Sequence, residues 1–151
     1  MDAPEPPPVP QPDDDGPEAE GPEPFRDDLP SDDDEHESAY GLLQRGQALM
    51  KQRHNAQAAV VLERAARIEP HKGSILEALG RAYYNSGQHE RAAVVFGELL
   101  EIDPSAAYGH YALGQSLKQV GRRTEARTHL RLACALAPDS PLYRAALARL
   151  G

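Results

Sequence analysis

The chain of 151 residues carries a formal net charge of −8 at pH 7 and contains one cysteine, Cys134. A single cysteine excludes an internal disulfide, and no stretch approaches the ~20 consecutive apolar residues that a membrane-spanning helix needs. The start MDAPEPPPVP has neither the basic segment nor the apolar run of a secretory signal, so we expect a soluble, cytoplasmic protein.

Residues 1–38 form an acidic, proline-rich segment. They contain fifteen acidic residues, one arginine and ten prolines, and their only sizeable apolar side chains are Val9, Phe25 and Leu29. So little apolar surface cannot offset an ordering entropy of roughly 1–2 kcal/mol per residue. The composition therefore predicts a disordered tail over 1–38.

Two short motifs in this tail have both a functional and a simpler interpretation. The run PPPVP is either a docking motif for an aromatic-lined groove or part of a solvated spacer, and the spacer is the simpler interpretation. The run DDDEHE at 32–37 offers oxygen ligands, but it lacks the glycine turn and the ligand spacing of a calcium loop. We therefore expect no metal site there.

Beyond the tail, the hydrophobic pattern predicts three pairs of helices and one last helix. The predicted spans are about 39–52 and 56–68, about 73–86 and 90–102, about 107–120 and 124–136, and 141–150. Ser38 is suited to cap the first helix, and Ser140 followed by Pro141 marks the start of the last one. Gly87 and Gly121 lie just past the first helix of their pairs, where a left-handed residue often ends a helix. Asp103-Pro104-Ser105 is expected to stop one helix and cap the next.

The paired region repeats with a period of 34 residues. Prolines, mid-helix glycines, alanines and large apolar residues recur with this step: Pro70, Pro104 and Pro138; Gly46, Gly80 and Gly114; Ala58, Ala92 and Ala126; Leu62, Phe96 and Leu130. This period is typical of helix–turn–helix repeats. Because glycine inside a helix costs roughly 0.5–1 kcal/mol relative to alanine, its recurrence needs a reason. We expect the three glycines to let the three alanines of the paired helices come close.

These positions resemble the pattern of the tetratricopeptide repeat (TPR) family over about two thirds of the chain, in three repeats: 39–72, 73–106 and 107–140. The second repeat meets the family pattern with Leu76, Leu79, Gly80, Tyr83, Ala92, Phe96, Leu99 and Pro104. Arg45, Leu99 and His110 depart from the usual residue types without breaking the register. The resemblance implies an all-α protein, an α-solenoid of three repeats in a domain over 39–151. It also implies that helix 141–150 is a C-terminal capping helix over the last apolar face.

The resemblance further implies that the first helix of each repeat lines a concave, peptide-binding groove. The groove residues that we expect are Tyr40, Leu43, Gln47, Glu77, Arg81, Tyr84, Tyr108, Tyr111, Gln115 and Lys118. Four of the six tyrosines fall on this face, and tyrosine suits a surface that contacts partners. The alternative is that Tyr40 and Tyr108 pack against neighbouring repeats.

The implied function is a non-catalytic interaction module that binds a peptide or helix of another protein. Alternatives are an assembly or scaffold subunit that uses the exposed ends of the stack, and a secretion-chaperone-like module, although such chaperones have less acidic tails. A further hypothesis is that the acidic tail regulates binding by occupying the groove. The oligomeric state stays open.

The residues predict no enzyme and no cofactor or metal site. No histidine pair stands four residues apart with an acid as in HExxH, and no strand with a glycine loop is available to cradle phosphate. We expect His110 to be a satisfied, partly buried histidine and Cys134 to be a small core residue.

Two other binding modes of such domains are not expected here. Some members of the family hold a C-terminal carboxylate with a clamp of basic and amide residues, and the matching positions are Leu43, Gln47, Ala78, Tyr108 and Ala112. A basic stripe suited to phosphates runs along the last repeat: Arg122, Arg123, Arg127 and Arg131. The stripe lacks interleaved aromatic residues, so we expect no nucleic-acid partner.

Overall fold

The computed structural model describes residues 37–151, and this range forms seven α-helices and no strand. The helices are α1 (Ala39–Lys51), α2 (Asn55–Ile68), α3 (Gly73–Asn85), α4 (His89–Ile102), α5 (Ala107–Gln119), α6 (Arg123–Leu136) and α7 (Pro141–Leu150). Helices α1 and α2, α3 and α4, and α5 and α6 pack as pairs, consecutive pairs stack, and α7 packs on α6. The predicted all-α solenoid is confirmed, while the predicted disordered tail lies almost wholly outside the described residues. Among the seven helices, none combines the length and apolar content that crossing a membrane requires.

The turn inside each helix pair contains one residue with a left-handed backbone. Gly87 and Gly121 have φ angles of 84° and 89°, as their positions predicted. Arg53 lies one period before Gly87 and has a φ of 67°. Glycine adopts this conformation without steric cost, whereas an L-residue with a Cβ does not. The first repeat therefore forms the same turn with an unfavourable residue.

Two of the three predicted helix caps are present. The Ser38 hydroxyl accepts the backbone N–H of Gly41 at 3.0 Å, and the Ser140 hydroxyl accepts that of Tyr143 at 3.2 Å. The expected cap at Ser105 is wrong. Its N–H and its hydroxyl both donate to Oδ1 of Asp103, at 3.2 and 2.9 Å, so the carboxylate ties the serine into the turn. Helix α5 instead begins after Ala106, without a side-chain cap.

The mid-helix glycines make room first for large side chains of the paired helix. The pairs are Gly46 with Leu62, Gly80 with Phe96, and Gly114 with Leu130; a Cβ added to the glycine would lie 2.5, 2.6 and 2.8 Å from the nearest atom of that side chain. The close approach to an alanine that we expected is also present at Gly114, where an added Cβ would lie 3.2 Å from the backbone oxygen of Ala126. The three large side chains are themselves buried. The helices of each pair therefore interlock through a side chain set one turn beyond the alanine.

Helix α7 closes the last repeat. Leu150 is buried against the neighbouring helices. Arg123 of α6 donates to the backbone carbonyl of Leu150, and Arg127 donates to that of Gly151 at 2.9 Å. Cationic groups near the carbonyl end of a helix are favourable. Two members of the predicted basic stripe thus hold α7 in place.

Candidate functional site

The inner surface of the solenoid is built by the first helix of each pair: α1, α3 and α5. Neighbouring inner helices lie side by side, since α1 contacts α3 and α3 contacts α5. A pocket of about 240 Å³ opens between α3 and α5. Its lining consists of Arg81, Tyr84, Asn85, Phe96, Tyr108, Tyr111, Ala112 and Gln115. We call it the aromatic pocket.

A series of ring contacts runs through the aromatic pocket and onto α7. The ring of Phe96, contributed by α4, meets Tyr108 edge to face, with centroids 6.3 Å apart. Tyr108 meets Tyr111 at 6.0 Å, and Tyr111 stacks on Tyr143 of α7 at 5.0 Å with 29° between the planes. These contacts brace the tyrosines against one another and hold the pocket wall in place.

Burial raises the pKa of the Tyr108 hydroxyl above its usual value. Desolvation raises the pKa of Tyr108 to about 12; the positive charge of Arg81 opposes this shift and the negative charge of Glu77 adds to it. The hydroxyl is therefore available as a hydrogen-bond donor at neutral pH.

Three polar side chains of the pocket are available for hydrogen bonds or ion pairs. Arg81 and Asn85 are exposed at its edge. The side-chain Oε1 of Gln115 is buried and has no hydrogen-bond partner among the described residues. A buried acceptor without a donor is costly, so a partner that supplies an N–H would recover a hydrogen bond there.

The aromatic pocket continues into a second, more polar hollow between α1 and α3. This hollow has a volume of about 610 Å³ and is lined by Gln44, Gln47, Ala48, Met50, Lys51, Arg81 and Asn85. Arg81 and Asn85 belong to both. The inner surface therefore offers one continuous groove across three helices, aromatic at α5 and polar at α1.

Two sequence models of one family match the chain. A TPR repeat model matches residues 80–121, and a tetratricopeptide repeat model matches residues 109–150. These matches agree with the helix pairs and with their period of 34 residues. The chain is a tetratricopeptide repeat protein.

Solved structures with the same fold include TPR domains from several sources. The Arabidopsis OM64 TPR domain is 18% identical with a TM-score of 0.71, and the match covers 74% of this chain and 93% of that one. The first TPR domain of Spaghetti (RPAP3), bound to the HSP90 peptide SRMEEVD, is 15% identical with a TM-score of 0.72, over 75% and 90% of the two chains. The Yersinia enterocolitica secretion chaperone SycD, in complex with a peptide of the translocator YopD, is 18% identical with a TM-score of 0.63, over 72% and 83%. At these identities the likeness shows the fold.

Among curated proteins, human protein O-mannosyl-transferase TMTC1 shares a stretch with this TPR protein. The two are 39% identical over 56 residues, which make up 37% of this chain and 6% of that one. The likeness thus concerns a small part of the larger protein and bears on that stretch alone.

The residues expected in the groove of this TPR protein lie in five different settings. Arg81, Tyr84, Tyr108, Tyr111 and Gln115 line the aromatic pocket, and Gln47 lines the polar hollow. Glu77 and Lys118 are half-buried on α3 and α5. Leu43 is buried in the core, where it serves packing. Tyr40 is 67% exposed on α1, and its hydroxyl accepts the side-chain N–H of Gln44 at 3.0 Å.

Sequence reasoning missed the contribution of α7. Leu142 lies one period of 34 residues after Tyr108 and is 50% exposed, and Tyr143 beside it stacks on Tyr111. Phe96 was also missed, because it belongs to an outer helix and reaches the pocket through the space above Gly80. The period of 34 residues could have predicted the position of Leu142 if the last helix had been treated as a fourth inner helix.

A pair of histidines joins α5 to α6 behind the groove. His110 is buried, as expected, and its Nε2 donates to the carbonyl of Pro104 at 2.8 Å. Its Nδ1 therefore carries a lone pair and accepts from Nδ1 of His129 at 3.1 Å. The ring centroids are 5.3 Å apart. This equals the distance between the two nitrogens plus roughly two ring radii, so the two rings lie edge to edge and are joined by one hydrogen bond. Cys134 of α6, expected in the core, is half-buried.

Proposed function

We propose that this TPR protein binds a segment of another protein, a peptide or a helix, along its inner helices and catalyses no reaction. The aromatic pocket between α3 and α5 carries the proposal. It joins braced aromatic walls to a few polar groups, which is the arrangement expected of a recognition site.

The side chains of the pocket are of the types that dominate binding energy. Tyrosine and arginine are enriched among the residues whose truncation costs most at interfaces. Tyr84 and Tyr111 are half-buried before any partner binds, so their immobilisation on binding costs little additional entropy. Arg81 lies at the junction of the pocket and the polar hollow, where it can meet a carboxylate.

The charge distribution favours an acidic partner. The helices α1, α3, α5 and α7 together carry six basic residues and one acidic residue, Glu77. The helices α2, α4 and α6 carry six basic and five acidic residues. The net charge is therefore 6 − 1 = +5 on the first set of helices and 6 − 5 = +1 on the second, and the excess on the first set would steer a negatively charged segment towards the groove.

Two of the similar structures are complexes with peptides, which supports peptide binding as the mode of action. The present groove would bind through other contacts than a carboxylate clamp. The positions where a clamp would stand include Leu43, Ala78 and Ala112, and all three are buried apolar residues.

Affinity purification with the full chain tests the proposal. The test variant is Tyr84→Ala/Tyr111→Ala, and the control is Val60→Ala/Val94→Ala, which truncates two exposed side chains of the outer helices. We expect the test variant to lose a specific partner by about tenfold or more in quantitative mass spectrometry, while the control retains it. Equal recovery of every protein by wild type and both variants contradicts the proposal.

A further inference from the structure

Helix α7 extends the groove by one more inner helix. Leu142 holds the register position that Tyr108 holds in the third repeat, and half of its surface is exposed. Tyr143, next to it, stacks on Tyr111 of the aromatic pocket. Leu142 and Tyr143 therefore form a second apolar contact surface that is continuous with the pocket, and we call it the α7 patch.

The distance between the aromatic pocket and the α7 patch determines how far apart two side chains of one peptide must be to contact both. Packed helices lie about 8–10 Å apart, and an extended chain advances about 3.3 Å per residue. A peptide that crosses from α5 to α7 covers this distance in roughly two to three residues. Two large apolar side chains at that separation would reach the aromatic pocket and the α7 patch.

The charges around the aromatic pocket and the α7 patch favour particular residue types at the other positions of the peptide. Arg81 lines the pocket on α3, Lys118 is half-buried on α5, and Arg149 is exposed on α7, one period after Gln115. Neither α5 nor α7 carries an acidic residue. Carboxylates are therefore the complementary groups for the remaining positions of the ligand.

We propose that the groove recognises an extended acidic segment with two large apolar side chains about three residues apart, one in the aromatic pocket and one on the α7 patch. This inference rests on the proposed function and names the chemistry of the partner. The sequence of the chain itself contains such a segment at 23–34, EPFRDDLPSDDD. In it, Phe25 and Leu29 are four positions apart, one more than the shortest crossing between the helices needs, among six carboxylates. A synthetic peptide of this sequence is therefore a suitable probe.

The test is a titration of the fluorescein-labelled 23–34 peptide, followed by fluorescence anisotropy. The binder is the full chain carrying Phe25→Ser and Leu29→Ser, so that its own copy of the segment does not compete. Three further versions of this chain are compared. They carry Leu142→Ser, the matched Leu132→Ser on the outer helix α6, where the leucine is 41% exposed, and Tyr84→Ala/Tyr111→Ala.

We expect Leu142→Ser to weaken peptide binding about tenfold and Leu132→Ser to change it less than about twofold. Replacing Phe25 or Leu29 by serine in the peptide should weaken binding by a similar factor. One of these two serine-substituted peptides should bind the chain that keeps Leu142 and the Leu142→Ser chain almost equally well. This is the peptide that lacks the apolar side chain for the α7 patch, so removing Leu142 costs it no further contact. Binding should also weaken as salt is raised.

The other outcomes overturn the inference in distinguishable ways. If Tyr84→Ala/Tyr111→Ala abolishes binding while Leu142→Ser leaves it within about twofold, the second contact is absent and the proposed groove stands. If the peptide binds and neither substitution weakens it, both the inference and the proposed groove fail. If no binding is seen up to about 1 mM, the inferred ligand chemistry is wrong, and the purification of partners decides the proposed function separately.

Discussion

Gly80 of α3 and Phe96 of α4 are matched to each other: a Cβ on residue 80 would lie 2.6 Å from two carbons of the phenylalanine ring. The ring is buried, and its edge contacts Tyr108 in the aromatic pocket. One contact thus serves both the core of the second repeat and the base of the candidate site.

Gly80→Ala should destabilise the protein even though alanine is the better helix former. The added methyl group must displace the Phe96 ring, and overpacking of this kind costs about 1–3 kcal/mol. The free energy of unfolding from urea denaturation, followed by circular dichroism, measures the effect.

The matched control is Gly97→Ala in α4. No atom lies within 4 Å of the place where its Cβ would be. Without a steric conflict, alanine should stabilise the helix by about 0.5–1 kcal/mol. If both substitutions shift stability in the same direction, the interlocking of Gly80 with Phe96 is not the reason for the glycine.

Arg53→Gly should stabilise the protein. Arg53 has a φ of 67° in the turn between α1 and α2, where the other two repeats have glycine. Removing the Cβ relieves a left-handed conformation that costs roughly 1–2 kcal/mol, partly offset by the greater entropy of glycine in the unfolded chain. The thermal midpoint should therefore rise, and a lower midpoint would show that the arginine makes compensating contacts.

The period of 34 residues carried enough information to predict the helix pairs and their turns. It could not decide which side chain faces each glycine, because Ala92 and Phe96 recur with the same step and lie one turn apart on the same helix. The period also gave no sign that Arg53 has a left-handed backbone, because the repeat imposes this conformation on a residue that disfavours it. Equal spacing therefore predicts equal backbone geometry but leaves the packing partners open.

The His110–His129 pair should make stability fall in mild acid. Burial lowers the pKa of His129 below its usual 6.5; the neighbouring His110 lowers it further by electrostatic repulsion, and Glu125 on the same helix opposes the shift. Because the folded state binds this proton less readily than the unfolded chain, the stabilisation is complete above pH 6.5 and is lost as the pH falls through the lower, folded pKa.

His129→Gln provides the comparison. Glutamine can still donate an N–H towards Nδ1 of His110, but it does not titrate. The variant should therefore lose less stability than wild type between about pH 7.5 and pH 5 in parallel urea denaturations. Superimposable pH curves for the two proteins would assign the acid sensitivity to other groups.

Arg123→Ala should loosen α7 specifically. Its guanidinium donates to the carbonyl of Leu150 at the end of that helix, so its removal leaves the last turn less well held. Hydrogen exchange measured by mass spectrometry should become faster in 141–150 and stay unchanged in α3. Arg131→Ala on the same face of the third repeat is the control, and equal exchange in both variants would rule out the capping contact.

The candidate site was only partly predictable. The family resemblance brought four tyrosines to the inner helices, and three of them line one pocket. The contribution of Tyr143 depends on how α7 packs against α5, and that of Phe96 on a ring passing over Gly80. The histidine pair joins residues 19 positions apart on adjacent helices, a separation for which the repeat gives no signal. The sequence was enough to predict the helices, but the contacts between helices became known only from the structure.

The most direct test of the groove is site-specific photo-crosslinking of the full chain in its native cells. A photoreactive benzoylphenylalanine replaces Tyr84 in the aromatic pocket in one version and Val94 on the exposed face of α4 in the other. A partner protein crosslinked from position 84 and absent from position 94 is the expected result. Crosslinking from position 94 alone, or to the same proteins from both positions, would show that the inner helices are not where this protein binds its partners.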